Sequence, residues 1–156
     1  MHRTRNDMTQ RTRAAMVKLL NARLADALDL AAQAKQAHWN VRGPNFIALH
    51  ELFDKLHDAA GEAVDEIAER AVALGGTAHG TVQTVARATT LRAYPENISE
   101  SRAHVEALAN AFAAFGKNVR KAIDVATQAG DADTADLFTG ISRDADKYLW
   151  MLEAHL

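Results

Sequence analysis

The 156-residue chain contains no cysteine, which excludes disulfides, thiol nucleophiles and cysteine-ligated zinc or iron–sulfur centres. Proline is nearly absent, at two residues, and glycine is sparse, at eight; such a composition favours long helices broken at few places. No apolar run is long enough to cross a bilayer, and the start, "MHRTRNDMTQRTRAAM", lacks the apolar core of a secretory leader. The expectation is a cytoplasmic protein with no membrane partner. Nor is one sign of charge in excess. Lys and Arg number 18 against 20 Asp and Glu, a net −2, which gives no global attraction for nucleic acid. The imbalance is local: Arg3, Arg5, Arg11 and Arg13 crowd the first residues against Asp7 alone. Residues 1–12 therefore read as a basic N-terminal extension of a single domain spanning 1–156.

What the chain does have is apolar side chains, 48% of the total, repeating at helical spacing. Four long patterns emerge. The first runs from about Thr9 to His38, with a stripe through Leu20, Leu24, Leu28 and Ala31. Gly43-Pro44 breaks the chain, with Pro suited to a first helical position. The second runs from about Asn45 to Leu74 on Phe46, Leu49, Phe53, Leu56, Ala60, Val64, Ile67 and Ala71, and Gly75-Gly76 stops it. Residues 77–98 form a crossover with a short helix near 84–92. The third long helix starts at Ser99 or Ser101 as a cap and ends at Gly130. The fourth begins around Asp133 and carries Leu137, Phe138, Ile141, Ala145, Tyr148, Leu149 and Leu152. Two antiparallel hairpins joined by one long connection define an all-α, ferritin-like four-helix bundle whose crossover carries a short helix.

The second helix concentrates metal-ligating chemistry. At about 100° per residue from His50, Asp54 falls near 40°, Asp65 near 60° and Glu69 near 100°, away from the apolar stripe. Polar residues commonly share a solvated face, so the arc alone decides nothing. Length is more informative: His50 and Asp65 lie about 22 Å apart along the helix and cannot hold one ion within one chain. Two such helices, antiparallel across a two-fold axis near Ala59, Ala60 and Gly61, would set His50 and Asp54 beside Asp65 and Glu69 of a second copy, twice per dimer. Gly61 costs helix stability, about 1 kcal/mol against alanine, which suggests close helix approach; the dimer contact is wrong if a structure shows Gly61 facing open water. His38, at the end of the first helix, folds back towards His50. Imidazole and carboxylate ligands without sulfur suit Fe(II), with Zn(II) and Mn(II) as substitutes. The bland alternative stands beside this one: a histidine at a helix end as a cap, and solvated carboxylates.

The stretches "KQAHWNVRGPNFIALHELFD" and "VDEIAERAVALGG" resemble the ferroxidase signature of the Dps family, dodecameric mini-ferritins named as DNA-binding proteins from starved cells, and "DLFTGISRDADKYLWMLEAHL" is similar to that family's last helix. The likeness extends over nearly the whole chain from about residue 15. It implies His38, His50, Asp54, Asp65 and Glu69 as ligands of iron at two inter-subunit sites per dimer, in a homododecamer built from two-fold dimers. It further implies oxidation of Fe(II), preferentially by hydrogen peroxide, with storage of ferric oxide in the hollow shell. Trp39 resembles the family's tryptophan beside the site, expected to quench stray oxidising equivalents; packing of the turn is its other reading. Lys35 and Asn40 flank the ligands as supporting candidates. No Glu-x-x-His occurs in the chain, which argues against the di-iron centre that other ferritins build within one bundle.

Two further expectations are weaker in their motifs. Asp131, Asp133 and Asp136 open the last helix where mini-ferritins line three-fold pores with acid, although aspartate is also the ordinary cap there; Asp136 is the favoured one. DNA binding rests on Arg3, Arg5, Arg11 and Arg13, against a twelve-chain shell of about −24 that repels phosphate. A nucleoid-compacting protein with secondary iron chemistry is thus the alternative function, and a purely structural helical oligomer a third.

Overall fold

A computed structural model describes all 156 residues. The elements are α1 (Gln10–Asn40), α2 (Phe46–Ala73), α3 (Val82–Ala88), α4 (Ser101–Gln128) and α5 (Ala132–Glu153). The long helices α1 and α2 form one antiparallel hairpin, α4 and α5 the other, and the segment carrying α3 crosses between them against α1. The ferritin-like bundle expected from periodicity is the observed architecture. No helix is long and apolar enough to cross a membrane.

One continuous core fills the bundle. Leu20, Leu24 and Leu30 of α1 meet Phe53, Leu56 and Ile67 of α2, with Leu108 and Phe138 from the second hairpin, each side chain wholly out of water. Deleting a ring such as Phe53 would cost about 3–5 kcal/mol in lost transfer energy and cavity.

Helix boundaries show where local rules held and where distant contacts intervened. Thr9 caps α1 by accepting from the Thr12 amide at 3.1 Å. Neither Ser99 nor Ser101 caps α4. Glu100 takes that position without a side-chain bond, and the Ser101 hydroxyl instead donates to the Arg42 carbonyl at 2.6 Å, tying α4 to the α1–α2 turn. Pro44 stands outside α2, which begins at Phe46. Gly43 makes the reversal at φ +120°, a left-handed value that suits glycine.

The short helix ends four residues earlier than the spacing suggests, because α1 holds the chain that follows. Asp26, wholly buried, accepts from the Thr90 amide at 2.7 Å and its hydroxyl at 3.0 Å, and pairs with Arg23 at 3.1 Å. One turn on, Asp29 accepts from the Thr89 hydroxyl at 2.7 Å, and Gln33 donates to the Arg92 carbonyl at 3.0 Å. These bonds pull residues 89–92 off a helical path and strap the crossover to the bundle.

The basic N-terminal segment is also shorter and more ordered than its composition suggests. Helix α1 starts at Gln10, so Arg11 and Arg13 belong to it. The His2 amide donates to the Gly75 carbonyl at 2.6 Å. Arg13 clamps both ends of this strap, donating to the carbonyls of Met8 at 3.2 Å and Leu74 at 3.0 Å. Gly75 is in the left-handed region, φ +83°, and a Cβ there would stand 2.8 Å from the His2 carbonyl oxygen.

Candidate metal centre

His38 ends α1 on its inward side and His50 sits one turn into α2, so the tight turn between them brings the two rings face to face. Their centroids are 3.6 Å apart and the planes differ by 22°. Each ring is fixed by the other's backbone: His38 Nδ1 lies 2.8 Å from the His50 carbonyl, and His50 Nδ1 lies 2.8 Å from the His38 carbonyl. A carbonyl only accepts, so both Nδ1 atoms carry the proton and donate. Both Nε2 atoms therefore keep a free lone pair. That is the tautomer a ligating histidine needs, with its second nitrogen anchored on an acceptor.

Asp54 follows one turn after His50, half-buried, with Oδ1 3.8 Å from His38 Nδ1. Lys35, from the facing turn of α1, donates to that same oxygen. The lysine holds the Asp54 carboxyl below its ordinary range, chiefly through this hydrogen bond, against a weaker opposing effect of desolvation. One carboxylate beside two imidazoles is a donor set of the kind that iron takes. The ammonium of Lys35 occupies the cationic position next to it.

The remaining expected ligands are elsewhere. Asp65 and Glu69 are exposed on the far half of α2, and within one chain no three His, Asp or Glu side chains are arranged to hold an ion. Gly61, between the two halves, faces outward, where a Cβ would meet nothing within 4 Å. The fold of one chain thus gives no packing reason for that glycine, and the small-residue contact stands only if another chain covers it.

Trp39 is 67% exposed, so it does not anchor the turn by packing within the chain. Asn40 turns away from the cradle, its amide donating to the Gln36 carbonyl at 2.8 Å. Asp131 is spent inside the fold: 2% exposed, it caps α5 through the Thr134 amide at 3.0 Å and pairs with Arg70 at 2.7 Å. This removes it from the pore candidates. Asp133 and Asp136 remain exposed and share an open groove with Glu66, Glu69 and Arg70. Of the arginines, Arg3, Arg5 and Arg11 are exposed, while Arg13 is committed to the strap.

Comparison with known proteins places this geometry. The ferritin-like domain family matches residues 17–156, which defines the class. The DNA protection during starvation protein of Agrobacterium fabrum is 47% identical over 99% of this chain and 96% of its own; that of Brevibacillus brevis is 34% identical over 88% and 92%. Among solved structures, the tetragonal form of Dps from Mycobacterium smegmatis superimposes with TM-score 0.94 at 29% identity, covering 100% of this chain and 94% of that one. Dps from Microbacterium arborescens in the high iron form gives 0.86 at 35% identity, covering 92% and 93%. The chain belongs to the Dps family of ferritin-like proteins.

Proposed function

We propose that the chain is a ferroxidase and iron-storage mini-ferritin whose site is completed by a second copy. The reciprocal lock on His38 and His50 is the observation that carries this: it leaves both Nε2 atoms unused beside the Asp54 carboxylate, and one chain alone does not complete a site. A relative solved in a high iron form supports iron as the substrate.

The outer face of α2 supports the two-fold arrangement. Ile47, Glu51, Asp54, Asp58, Gly61, Asp65, Ala68 and Val72 alternate four and three residues apart, the spacing of a helix–helix seam, and none is buried. An axis between Ala59 and Ala60 sets His50 against Glu69 and Asp54 against Asp65. The same axis sets Ile47, 63% exposed, against Val72, 55% exposed, closing an apolar contact at each end of the pair. The alternating spacing was available from sequence and points to Ile47 and Val72, which the ligand search alone passes over.

At such a site two Fe(II) each give one electron to one peroxide, whose O–O bond breaks to two oxygens at the level of water, so no hydroxyl radical leaves. Five ligands suffice for one firm ion and a weaker neighbour, with Lys35 competing for the weaker position. Ferric product would collect as oxide inside a dodecamer built from these dimers. Asp133 and Asp136, continuous with Glu69 along one groove, would draw cations inward; Asp136→Asn should slow uptake without abolishing oxidation.

The deciding experiment loads Fe(II) anaerobically, adds peroxide and follows ferric absorbance. His50→Ala and Asp65→Ala should each be inactive, while a co-folded mixture should regain about a quarter of the wild-type sites, because random pairing leaves one intact site in half of the dimers. Equal rates in wild type and Asp65→Ala refute the assignment. The DNA-compacting alternative draws on Arg3, Arg5 and Arg11 and on the names of relatives; strapping of the arm through His2 and Arg13 disfavours it. A gel shift at low ionic strength would favour it, with affinity falling steeply as salt rises.

A further inference from the structure

A buried tyrosine–histidine pair lies behind the turn that carries His38, and neither residue belongs to the cation cradle. The Tyr94 hydroxyl is 2.5 Å from His104 Nδ1, and the rings are 22° from parallel. His104 is 1% exposed, and Tyr94 is half-buried. Burial keeps both neutral, pushing the phenol above its ordinary range and the imidazole below. The other imidazole nitrogen, Nε2, is enclosed without a hydrogen-bond partner, and the backbone of Asn40 and Ile98 lies close enough to the ring to favour its protonated form. Carbonyls repel a lone pair and welcome a proton, so Nε2 carries the hydrogen and Nδ1 accepts from Tyr94. Asn40 is the last residue of α1, two positions after His38.

We infer that Tyr94 is an oxidisable relay, giving one electron to a strong oxidant formed at the adjoining turn while its proton passes to His104 Nδ1. The O–H bond breaks, an N–H bond forms, and a neutral tyrosyl radical remains beside an imidazolium. The carbonyls of Asn40 and Ile98 lie where that new charge needs support. The oxidant is a hydroxyl radical, or an indole already oxidised by one, and it gains the electron; it arises when a single Fe(II) meets peroxide without a paired ion. The short bond to a buried imidazole is what makes this feasible at a half-buried phenol, since an oxidised phenol is strongly acidic and must have a base at hand. Tyr148, the second of the chain's two tyrosines, is the built-in contrast: the Lys147 ammonium stands 5.1 Å over its ring, and a cation there opposes loss of an electron.

The cation-site reading enters only as the source of oxidant, and the test separates the two. In the full metal-free chain, flash-generated ruthenium(III) trisbipyridine serves as a one-electron oxidant, read by electron paramagnetic resonance. A tyrosyl signal should appear in wild type and Tyr148→Phe and vanish in Tyr94→Phe. His104→Gln, which keeps the phenol, should lower the yield about tenfold, as befits one strong hydrogen bond, with circular dichroism to verify folding. A signal that survives Tyr94→Phe, or an unchanged yield in folded His104→Gln, overturns the relay. One Fe(II) per site with excess peroxide supplies the second readout. Ferric product without a tyrosyl signal overturns the relay's part in iron chemistry; a flash-generated Tyr94 radical without ferric product overturns the cation site and leaves the relay standing.

Discussion

Asp26 and Asp54 project from the two helices of one hairpin and are treated in opposite ways. Asp26 is wholly buried, and its oxygens are filled from within the chain by Arg23, the Thr90 amide and the Thr90 hydroxyl. Asp54 is 44% exposed and has one lysine beside two imidazoles whose Nε2 atoms have no use inside the chain. The difference is bonding capacity left over. A carboxylate whose acceptors are all taken holds a fold together, whereas one left open beside free lone pairs is prepared for a ligand.

Substitutions should break the comparison along that line. Asp26→Ala removes a buried carboxylate and leaves the mostly enclosed Arg23 and the Thr90 donors without their acceptor; it should cost about 3 kcal/mol, read as a large fall in Tm, while iron oxidation per folded chain is unchanged. Asp65→Ala should do the reverse, abolishing peroxide-driven oxidation, while the stability of the single chain, where Asp65 is exposed, moves by no more than about 0.5 kcal/mol. Acid should act through His104. Its folded pKa lies below the unfolded 6.5, so the unfolded chain takes the proton first, and stability is full above pH 6.5 and declines as pH falls beneath it. Thermal melts from pH 7 to 5 should therefore slope less in His104→Gln. The Asp54 shift acts lower, its contribution being lost only as pH falls below the ordinary carboxylate range of 3.8. The smallest effect belongs to Lys35→Met. The pair is solvent-screened, so the weaker ion should bind no more than about fivefold tighter, measurable by Co(II) titration.

The bundle was legible because periodicity is local and repeated over four long helices. Apart from Pro44, which stands just outside α2, the departures involve partners far along the chain. Nothing near residues 89–92 announces that α1 aspartates will take their hydrogen bonds, and nothing near Asp131 announces Arg70. Even there the aspartate's tendency to cap a helix was readable; its burial was not. The site divides in the same manner. His38 and His50 were brought together by a turn of a few residues, while their mutual backbone bonds depend on the path of that turn in three dimensions. Asp65 and Glu69 lie too far along α2 to join the histidines within one chain, and their shared arc, the helix length and the family resemblance are what pointed to them.

The crossed bonds between His38 and His50 also determine how substitutions at these positions must be interpreted. Each ring is anchored on the other residue's backbone carbonyl, which a side-chain replacement leaves in place, so replacing either histidine removes one proposed ligand while the surviving ring keeps its own hydrogen bond. What a single replacement does take from the other ring is its stacked face, 3.6 Å away between centroids. The departure of a double replacement from the sum of two single ones therefore measures how much that stacking, rather than the hydrogen bonds, steadies each ring.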